Sequence, residues 1–207
     1  MDKILIIKAS PRKNGNTNAL TDAFAAELAK LYDGSDQIHI EEVDLYDMNI
    51  KPCVACRCCQ TDWTEAWCVQ EDDAESVFDK ITGSDLIVLA TPIYSWYCTA
   101  PLKALLDRCV YAFNMYYDDA AGTHGGDRGP SLWQGKKLAL IVTCGYKPDK
   151  GADLFEEGIK RYCKHSQLAY AGSLIERHLG YNTIFMDEAK AAHAKAFAER
   201  VKDELGS

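Results

Sequence analysis

The sequence predicts a doubly wound α/β fold, in which a five-stranded parallel sheet carries helices on both faces. Short apolar, β-branched runs alternate with segments of helical periodicity along the chain, which is the pattern of right-handed βαβ units. The apolar runs are nearly continuous, as in strands that are buried on both faces. Five such strands favour the order 2-1-3-4-5, with a topological switch point between the carboxyl ends of the first and third strands.

The predicted strands and helices follow one another in alternation. Strands are expected where β-branched residues cluster, at Ile4–Ile7, Ile38–Val43, Leu86–Ala90, Leu138–Thr143 and Ala169–Ile175. Helices are expected where apolar residues recur with helical spacing, at Asn18–Tyr32, Ala74–Thr82, Ala100–Phe113, Ala152–His165 and Asp187–Glu204. Two stretches, 46–71 and 114–136, do not fit the alternation, and loops of that length usually serve as lids or interfaces or else are disordered.

Size and composition narrow the class of protein. The 207 residues, 47% of them hydrophobic, predict one domain over residues 1–205. A formal net charge of -8 without a basic cluster argues against nucleic acid as a partner. No apolar run approaches the roughly 20 residues that span a bilayer, and the chain enters its first strand without a leader. We therefore expect a cytoplasmic protein with no membrane partner.

The junction between the first predicted strand and helix has the sequence Ser-Pro-Arg-Lys-Asn-Gly-Asn-Thr over residues 10–17. Backbone N–H groups at a helix start lack intrahelical partners and carry the positive end of the helix dipole, so they favour an anion. The loop lacks the GxGxxG and GxxxxGK[ST] signatures of dinucleotide and triphosphate sites. A monophosphate therefore fits better. The alternative is a polar turn in which Asn16 or Thr17 only caps the helix.

A second motif follows the third predicted strand, with Thr-Pro-Ile-Tyr-Ser-Trp over residues 91–96 and a helical Pro-Leu-Lys-Ala-Leu-Leu-Asp-Arg over 101–108. With the first loop, it resembles the NAD(P)H-dependent FMN reductase and iron–sulfur flavoprotein branch of the flavodoxin-like proteins. The resemblance covers residues 3–180 and implies a flavodoxin-like fold that binds FMN. Tyr94 and Trp96 suit a flat tricyclic ring, which needs an aromatic or apolar floor. The alternative is that both are ordinary core or interface aromatics.

The resemblance implies three groups of cofactor-binding residues. One loop would hold the FMN phosphate, a second would lie along the ring, and a third, after the fourth strand, would also contact the flavin. No catalytic side chain is required, because the redox chemistry belongs to the flavin. In chain order the groups are Ser10, Arg12, Asn14, Asn16 and Thr17; Pro92, Ile93, Tyr94, Ser95 and Trp96; and Thr143, Cys144 and Gly145.

The activity implied by the resemblance is that of an FMN-dependent oxidoreductase, which passes electrons from NAD(P)H to a quinone, a flavin or another small acceptor. The alternative is an iron–sulfur flavoprotein that exchanges electrons with a redox protein such as ferredoxin and uses no nicotinamide. A third hypothesis is a flavin-binding module without turnover of its own. The family also implies a homodimer or homotetramer.

Five of the nine cysteines fall in the stretch 46–71. Four of them have nearly the spacing of a four-thiolate ligand set, which is the usual ligation of a [4Fe–4S] cluster; zinc and free thiols are the alternatives. The four are Cys53, Cys56, Cys59 and Cys68, and Cys58 is a fifth candidate. The remaining cysteines lie in apolar or helical stretches and are expected in the core. They are Cys98, Cys109, Cys144 and Cys163.

Several polar residues near these motifs have simpler interpretations. Asp72 and Asp73 are expected to cap the helix that begins near Ala74, since aspartate is favoured at that position. One histidine, His124, is expected near the pocket because it lies in the second long stretch. Three charged residues are expected on a helix surface or at a subunit contact, namely Lys103, Asp107 and Arg108.

Overall fold

The computed structural model describes residues 1–34, 36–62, 64–114, 131–180 and 183–206. The strands are β1 (Asp2–Lys8), β2 (Ile38–Asp44), β3 (Leu86–Pro92), β4 (Lys137–Cys144) and β5 (Ala169–Arg177). The helices are α1 (Asn16–Lys30), α2 (Ala74–Gly83), α3 (Ala100–Ala112), α4 (Pro148–Gly151), α5 (Asp153–Ser166) and α6 (Glu188–Gly206). Each predicted strand and helix is confirmed, with ends that differ by a few residues.

The sheet has the order β2-β1-β3-β4-β5, and all four strand pairs are parallel. Every residue of the central strand β3 is buried, as its near-continuous apolar sequence predicts. The predicted doubly wound fold is therefore confirmed. Since β1 lies between β2 and β3, the chain winds away from β1 in both directions, which opens a crevice at the carboxyl ends of β1 and β3.

Two apolar layers cover the faces of the sheet. On one face α1 and α6 pack together, with Phe24 and Phe197 in contact at a ring-centroid distance of 5.2 Å. On the other face α2, α3 and α5 contribute buried residues such as Phe78, Leu105 and Phe155. The four cysteines predicted for the core are all buried, which confirms that prediction.

Three short elements were not predicted, namely α4 and two single 3-10 turns at Leu45–Asp47 and Cys58–Gln60. Such turns are too short to leave a periodic signal in a sequence. Of the stretch 114–136, residues 115–130 lie outside the described residues, and so does the expectation for His124. Trp133, from the described part, is buried and stacks on Phe113 at 4.5 Å.

Within the described ranges, no helix combines the length and apolar character that crossing a membrane requires.

We predict that Leu140→Ala in β4 lowers the free energy of unfolding by about 3 kcal/mol, because it leaves a cavity beneath a fully buried side chain. The matched control is Leu154→Ala in α5, where the side chain is 62% exposed, and we expect a change within about 0.5 kcal/mol. Urea unfolding of the reduced protein measures both values. Equal losses in the two variants would contradict the core described above.

Candidate functional site

The loop between β1 and α1 leaves the helix start open. Gly15 is the N-cap residue, and no side chain among the described residues caps it. Its N–H donates to the Arg12 carbonyl oxygen at 2.9 Å. A Cβ at this position would lie 2.9 Å from that same oxygen, so the loop is as tight as a glycine allows. The alternative in which Asn16 or Thr17 caps the helix is wrong, since both lie inside α1.

Side chains of the same loop fix its shape. The Ser10 hydroxyl is buried and bonds the Arg12 backbone, donating to its carbonyl oxygen at 3.2 Å. The buried Thr17 hydroxyl shares a hydrogen bond of 2.7 Å with the hydroxyl of Thr143, at the end of β4. The Asn18 amide donates to the Lys13 carbonyl oxygen at 2.9 Å, a brace that the sequence did not indicate. The loop is therefore preformed around the free N–H groups of α1.

Three other predicted phosphate ligands stand at the mouth of this loop. Arg12 and Asn14 are exposed, and Asn16 is half-buried in the first turn of α1. Lys13, which lies between them, pairs with Asp44 at 2.7 Å and with Asp47. The Lys13 charge is thus neutralised by Asp44 at the end of β2 and by Asp47 just after it, while the described ion pairs leave the Arg12 guanidinium available at the mouth.

The segment after β3 forms a tight turn over residues 94–97. Tyr94 and Tyr97 exchange backbone hydrogen bonds of 2.9 and 3.1 Å. The two central residues, Ser95 and Trp96, have φ angles of +51° and +63°, in the left-handed region that side chains other than glycine and asparagine rarely adopt. Backbone strain of this kind concentrates at ligand sites. The turn leaves Tyr94 and Trp96 each 48% exposed, so neither is a core aromatic.

Trp96 is held by the loop after β4. Its ring stacks on Tyr146, with a centroid distance of 5.8 Å and planes 14° apart. Its indole Nε1–H donates to the Lys150 carbonyl oxygen at 3.1 Å. The sequence prediction for this loop ended at Gly145 and missed Tyr146, although an aromatic residue next to a predicted ring-binding loop is a usable signal. The two rings form an aromatic wall at the crevice.

Backbone and hydroxyl contacts join the three loops at one edge of the sheet. The Ile93 N–H donates to the Thr143 carbonyl oxygen at 2.8 Å, and the Thr99 hydroxyl donates to the Ala9 carbonyl oxygen at 2.9 Å. With the Thr17–Thr143 bond, these contacts bring the three predicted groups of cofactor-binding residues together at the carboxyl ends of β1, β3 and β4. This is the switch point that the strand order predicts.

Members of the third group differ in what they present to the crevice. Thr143 and Cys144 are buried, whereas Gly145 is exposed. Burial raises the pKa of the Cys144 thiol, and this thiol donates to the Tyr146 carbonyl oxygen at 3.3 Å. The side chains of Thr143 and Cys144 are thus engaged with the neighbouring loops through Thr17 and Tyr146 and are not exposed in the crevice.

The cysteine segment, which is the stretch 46–71, makes a separate site beside α3. Cys53, Cys56, Cys59 and Cys68 line one small cavity, and Cys58 is outside the described lining. Thus the four cysteines with the predicted ligand spacing are the four that share a cavity. Within the described ranges, no three side chains of His, Cys, Asp or Glu are grouped closely enough to hold a metal ion. The four thiols line the cavity without forming a coordination sphere.

Backbone donors in this segment point at sulfur atoms. The Ala55 N–H donates to Cys53 Sγ at 3.4 Å, and the backbone N–H of Cys58 is the main cause of a lowered pKa at Cys56. Ala55 and Arg57 both have left-handed φ angles, +55° and +59°. Burial raises the pKa of Cys59 to about 11, and the neighbouring Cys68 adds to the effect. The backbone is therefore bent so that N–H groups donate to the sulfur atoms of Cys53 and Cys56.

A buried ion pair anchors the cysteine segment to α3. The Arg108 guanidinium contacts the Asp72 carboxylate at 2.5 Å, and both side chains are at most 1% exposed. The expectation that Arg108 lies on a helix surface or at a subunit contact is wrong, because position 108 shares the buried stripe of α3 with Leu105 and Cys109. Lys103 and Asp107 do lie on the surface, where they pair with each other.

Of the two aspartates expected to cap α2, only Asp72 does so, and the expectation for Asp73 is wrong. Asp72 accepts the N–H of Ala74 at 3.1 Å, as a cap does, and also the N–H of Lys51 at 2.8 Å. Asp73 occupies the N-cap position, but its side chain accepts the N–H of Asn49 instead. Burial tends to raise the pKa of Asp72, and the hydrogen bonds from Arg108 and the two N–H groups outweigh it and lower that pKa. Asp72 thus ties both ends of the cysteine segment together.

The sequence matches a family model described as flavodoxin-like fold over residues 2–205. The chain belongs to the flavodoxin-like fold family. An iron-sulfur flavoprotein of Archaeoglobus fulgidus is 36% identical to this flavodoxin-like protein over 212 residues, which span 96% of this chain and 93% of that protein. These matches confirm the predicted resemblance to the FMN reductase and iron–sulfur flavoprotein branch.

Two further comparisons extend the family assignment. An iron-sulfur flavoprotein of Methanosarcina thermophila is 34% identical over 108 residues, and the match spans 52% of each chain, so this flavodoxin-like protein is aligned to about half the length of that relative. The solved structure of an FMN-dependent NADH-azoreductase from Bacillus anthracis, in complex with FMN, has a TM-score of 0.65 and 14% identity. It covers 99% of this chain and 100% of that one, and shows a shared fold.

We predict that Asp72→Asn lowers the free energy of unfolding by about 3 kcal/mol, because it leaves the buried charge of Arg108 without a counterion. The matched control is Asp107→Asn, which removes the partner of the exposed Lys103 within α3. It should change the free energy of unfolding by no more than about 0.5 kcal/mol. Denaturant unfolding at neutral pH measures both.

The stability difference between wild type and Asp72→Asn should shrink as the pH falls through the lowered pKa of Asp72. A carboxylate with a depressed folded-state pKa stabilises the protein above its unfolded-state pKa, and the stabilisation is lost on protonation. A difference that does not change with pH, or equal losses in the two variants, would contradict the buried ion pair.

Proposed function

We propose that the protein is an FMN-dependent oxidoreductase that passes electrons from NAD(P)H through bound FMN to a quinone, a flavin or another small acceptor. One observation carries the proposal: the open N-terminus of α1 and the strained aromatic turn at 94–97 meet at the same edge of the sheet. A helix start without a side-chain cap suits a phosphate, and half-exposed aromatic rings suit a flat heterocycle.

The loop over residues 10–17 fits the phosphate end of FMN. Gly15 lets the backbone approach the anion closely, and the first N–H groups of α1 would donate to phosphate oxygens. Ser10 and Thr17 hold the loop in shape, while Arg12, Asn14 and Asn16 reach the anion from the mouth. A preformed site of this kind loses little conformational entropy on binding.

The other two groups fit the ring of FMN. Pro92, Ile93, Tyr94, Ser95 and Trp96 would lie along it, and Thr143, Cys144 and Gly145 would close its polar edge through their backbone. N–H groups near Ser95 and Gly145 would donate toward developing negative charge. Bound FMN supplies the hydride acceptance and onward electron transfer. Tyr146 and Trp96 leave an exposed aromatic wall against which a planar co-substrate can pack.

The names of similar proteins support this chemistry without assigning the acceptor. The structural neighbour from Bacillus anthracis is called an FMN-dependent NADH-azoreductase, and its fold covers the whole of this chain. Its name states that the enzyme depends on FMN and uses a nicotinamide as the reductant. We therefore include NADH and NADPH as candidate reductants and small electron acceptors as the substrate class.

We predict that the purified protein binds one FMN per chain and that either NADH or NADPH bleaches the flavin absorbance under anaerobic conditions. A quinone added afterwards should restore the absorbance. Stopped-flow absorbance follows both steps. Flavin binding without bleaching by either nucleotide would overturn the reductase proposal in favour of an electron carrier or a binding module, and no flavin binding would overturn all three.

We predict that Gly15→Ala raises the dissociation constant for FMN about tenfold, equivalent to about 1.4 kcal/mol, because its Cβ would meet the Arg12 carbonyl oxygen. The control is Gly83→Ala at the end of α2, where a Cβ would meet no described atom within 4 Å. Quenching of FMN fluorescence measures both constants. Wild-type affinity for FMN in Gly15→Ala, or an equal loss of affinity in Gly83→Ala, would show that the loop over residues 10–17 does not bind the phosphate.

The shared cavity of the four cysteines favours a second candidate function, that of an iron–sulfur flavoprotein carrying electrons between FMN, a [4Fe–4S] cluster and a redox protein such as ferredoxin. The donor set fits such a cluster, since four thiols face one cavity and the Ala55 N–H already donates to sulfur. Cys53, Cys56, Cys59 and Cys68 would hold it. Two relatives are named iron-sulfur flavoproteins, which supports the assignment.

We predict that anaerobic reconstitution loads wild type and Cys58→Ser with four iron atoms per chain, whereas Cys59→Ser loses most of the bound iron. Cys59 lines the cavity and its sequence neighbour Cys58 does not, so the pair tests the ligand set with the same chemical change. Iron and sulfide assays, with zinc assayed in parallel, give the readout. Bound zinc, or no metal in wild type, would leave the reductase as the better assignment.

We also propose that residues 1–205 fold as one domain, that the protein forms a homodimer or homotetramer, and that it is cytoplasmic. The resemblance supports the assembly, and light scattering measures it directly. Nine unpaired cysteines support a reducing compartment.

A further inference from the structure

Arg108 has more hydrogen-bonding capacity than its described partners use. Its Nη1 donates to both carboxylate oxygens of Asp72, at 2.6 and 2.5 Å, and to the Lys51 carbonyl oxygen at 3.4 Å. Its Nη2 lies 3.5 Å from the Gln70 carbonyl oxygen. The Nε–H is buried and has no hydrogen-bond partner in the part of the chain that the structure describes. A buried donor left without an acceptor is costly, so this N–H is available for a ligand.

Arg108 also faces the cysteine site. It lines the cavity shared by the four cysteines, together with Arg57 and Tyr111. Its guanidinium interacts with the Cys68 thiol. A buried cation that keeps one donor without a partner among the described residues therefore lines the place where thiolate sulfur would gather.

We propose that Arg108 is a positioning residue of the cysteine site. Its Nε–H donates a hydrogen bond to the anionic sulfur group that the four cysteines hold, and its positive charge stabilises that group. The inference rests on the second candidate function above and names a residue outside the ligand set. Hydrogen bonds to sulfur and nearby charge are the main means by which a protein sets the reduction potential of a cluster. Arg108 is thus expected to hold that potential at a more positive value.

Asp72 makes this placement of a cation possible. It takes the Nη1 side of the guanidinium and leaves Nε without a partner among the described residues, a division that the planar fork of arginine allows and the ammonium of lysine does not. Through the N–H of Lys51 and the carbonyl oxygens of Lys51 and Gln70, the pair also fixes the two ends of the cysteine segment. The geometry holds the cation in place before any ligand arrives.

The test compares the reduction potential of the reconstituted cluster in four proteins. Wild type is compared with Arg108→Lys, with the double variant Arg108→Gln/Asp72→Asn, and with Arg57→Gln. The double variant removes both members of the pair, so that no lone charge stays buried. Arg57→Gln removes an exposed positive charge from the same cavity and is the matched control. Bound iron and FMN are counted in each protein, and a spectroscopic redox titration gives the potential.

We expect the double variant to shift the electron-transfer equilibrium about tenfold toward the oxidised cluster, or about 59 mV for one electron. Arg108→Lys should shift the equilibrium by an amount between those of wild type and the double variant. Arg57→Gln should shift it by less than threefold. A double variant that holds four iron atoms and stays within threefold of wild type would overturn the inference while leaving the cluster assignment intact. A wild type that binds FMN but no iron would overturn the cluster assignment, and the proposed role of Arg108 with it.

Discussion

The pairing of β1 with β2 on one side and β3 on the other is the constraint on which the crevice at the sheet edge depends. Parallel strands need crossover connections, and a chain that winds in both directions from β1 leaves the loops after β1 and β3 on opposite sides of a gap. The gap is a consequence of topology, so it exists without any contribution from loop sequence. The loop residues determine which kind of ligand can bind in the gap.

The two ends of that gap are stabilised by different means. At the end next to α1, the polar groups of the loop bond one another and β4 through Ser10, Thr17 and Asn18, so the first N–H groups of α1 have no partner among the described residues. At the end next to β3, the backbone at Ser95 and Trp96 holds a conformation that is unfavourable on its own. The stacking of Trp96 on Tyr146 and its bond to Lys150 offset that cost. One end is relaxed and the other is strained.

Much of the fold could be read from the sequence because burial on both faces leaves a direct compositional signal. The site loops could be placed for a related reason, since they follow predicted strands at a predicted edge. Arg108 was misplaced because its partner Asp72 is 36 positions earlier, and a charge beside exposed Asp107 looks like a surface residue. The spacing from Leu105 to Arg108 to Ala112 did carry a signal, because it follows the buried stripe of α3. The left-handed turn over residues 94–97 gave no signal in the sequence, because Ser95 and Trp96 are neither glycine nor asparagine.

Helix α3 connects the two candidate sites within one chain. Its N-cap residue Thr99 bonds Ala9 at the edge of the crevice, and Arg108, nine residues further on, holds the cysteine segment. At a rise of 1.5 Å per residue, these two points are roughly 14 Å apart along the helix axis. A packed helix is a stiff spacer, so the path length between the crevice and the cysteine cavity is set by covalent geometry.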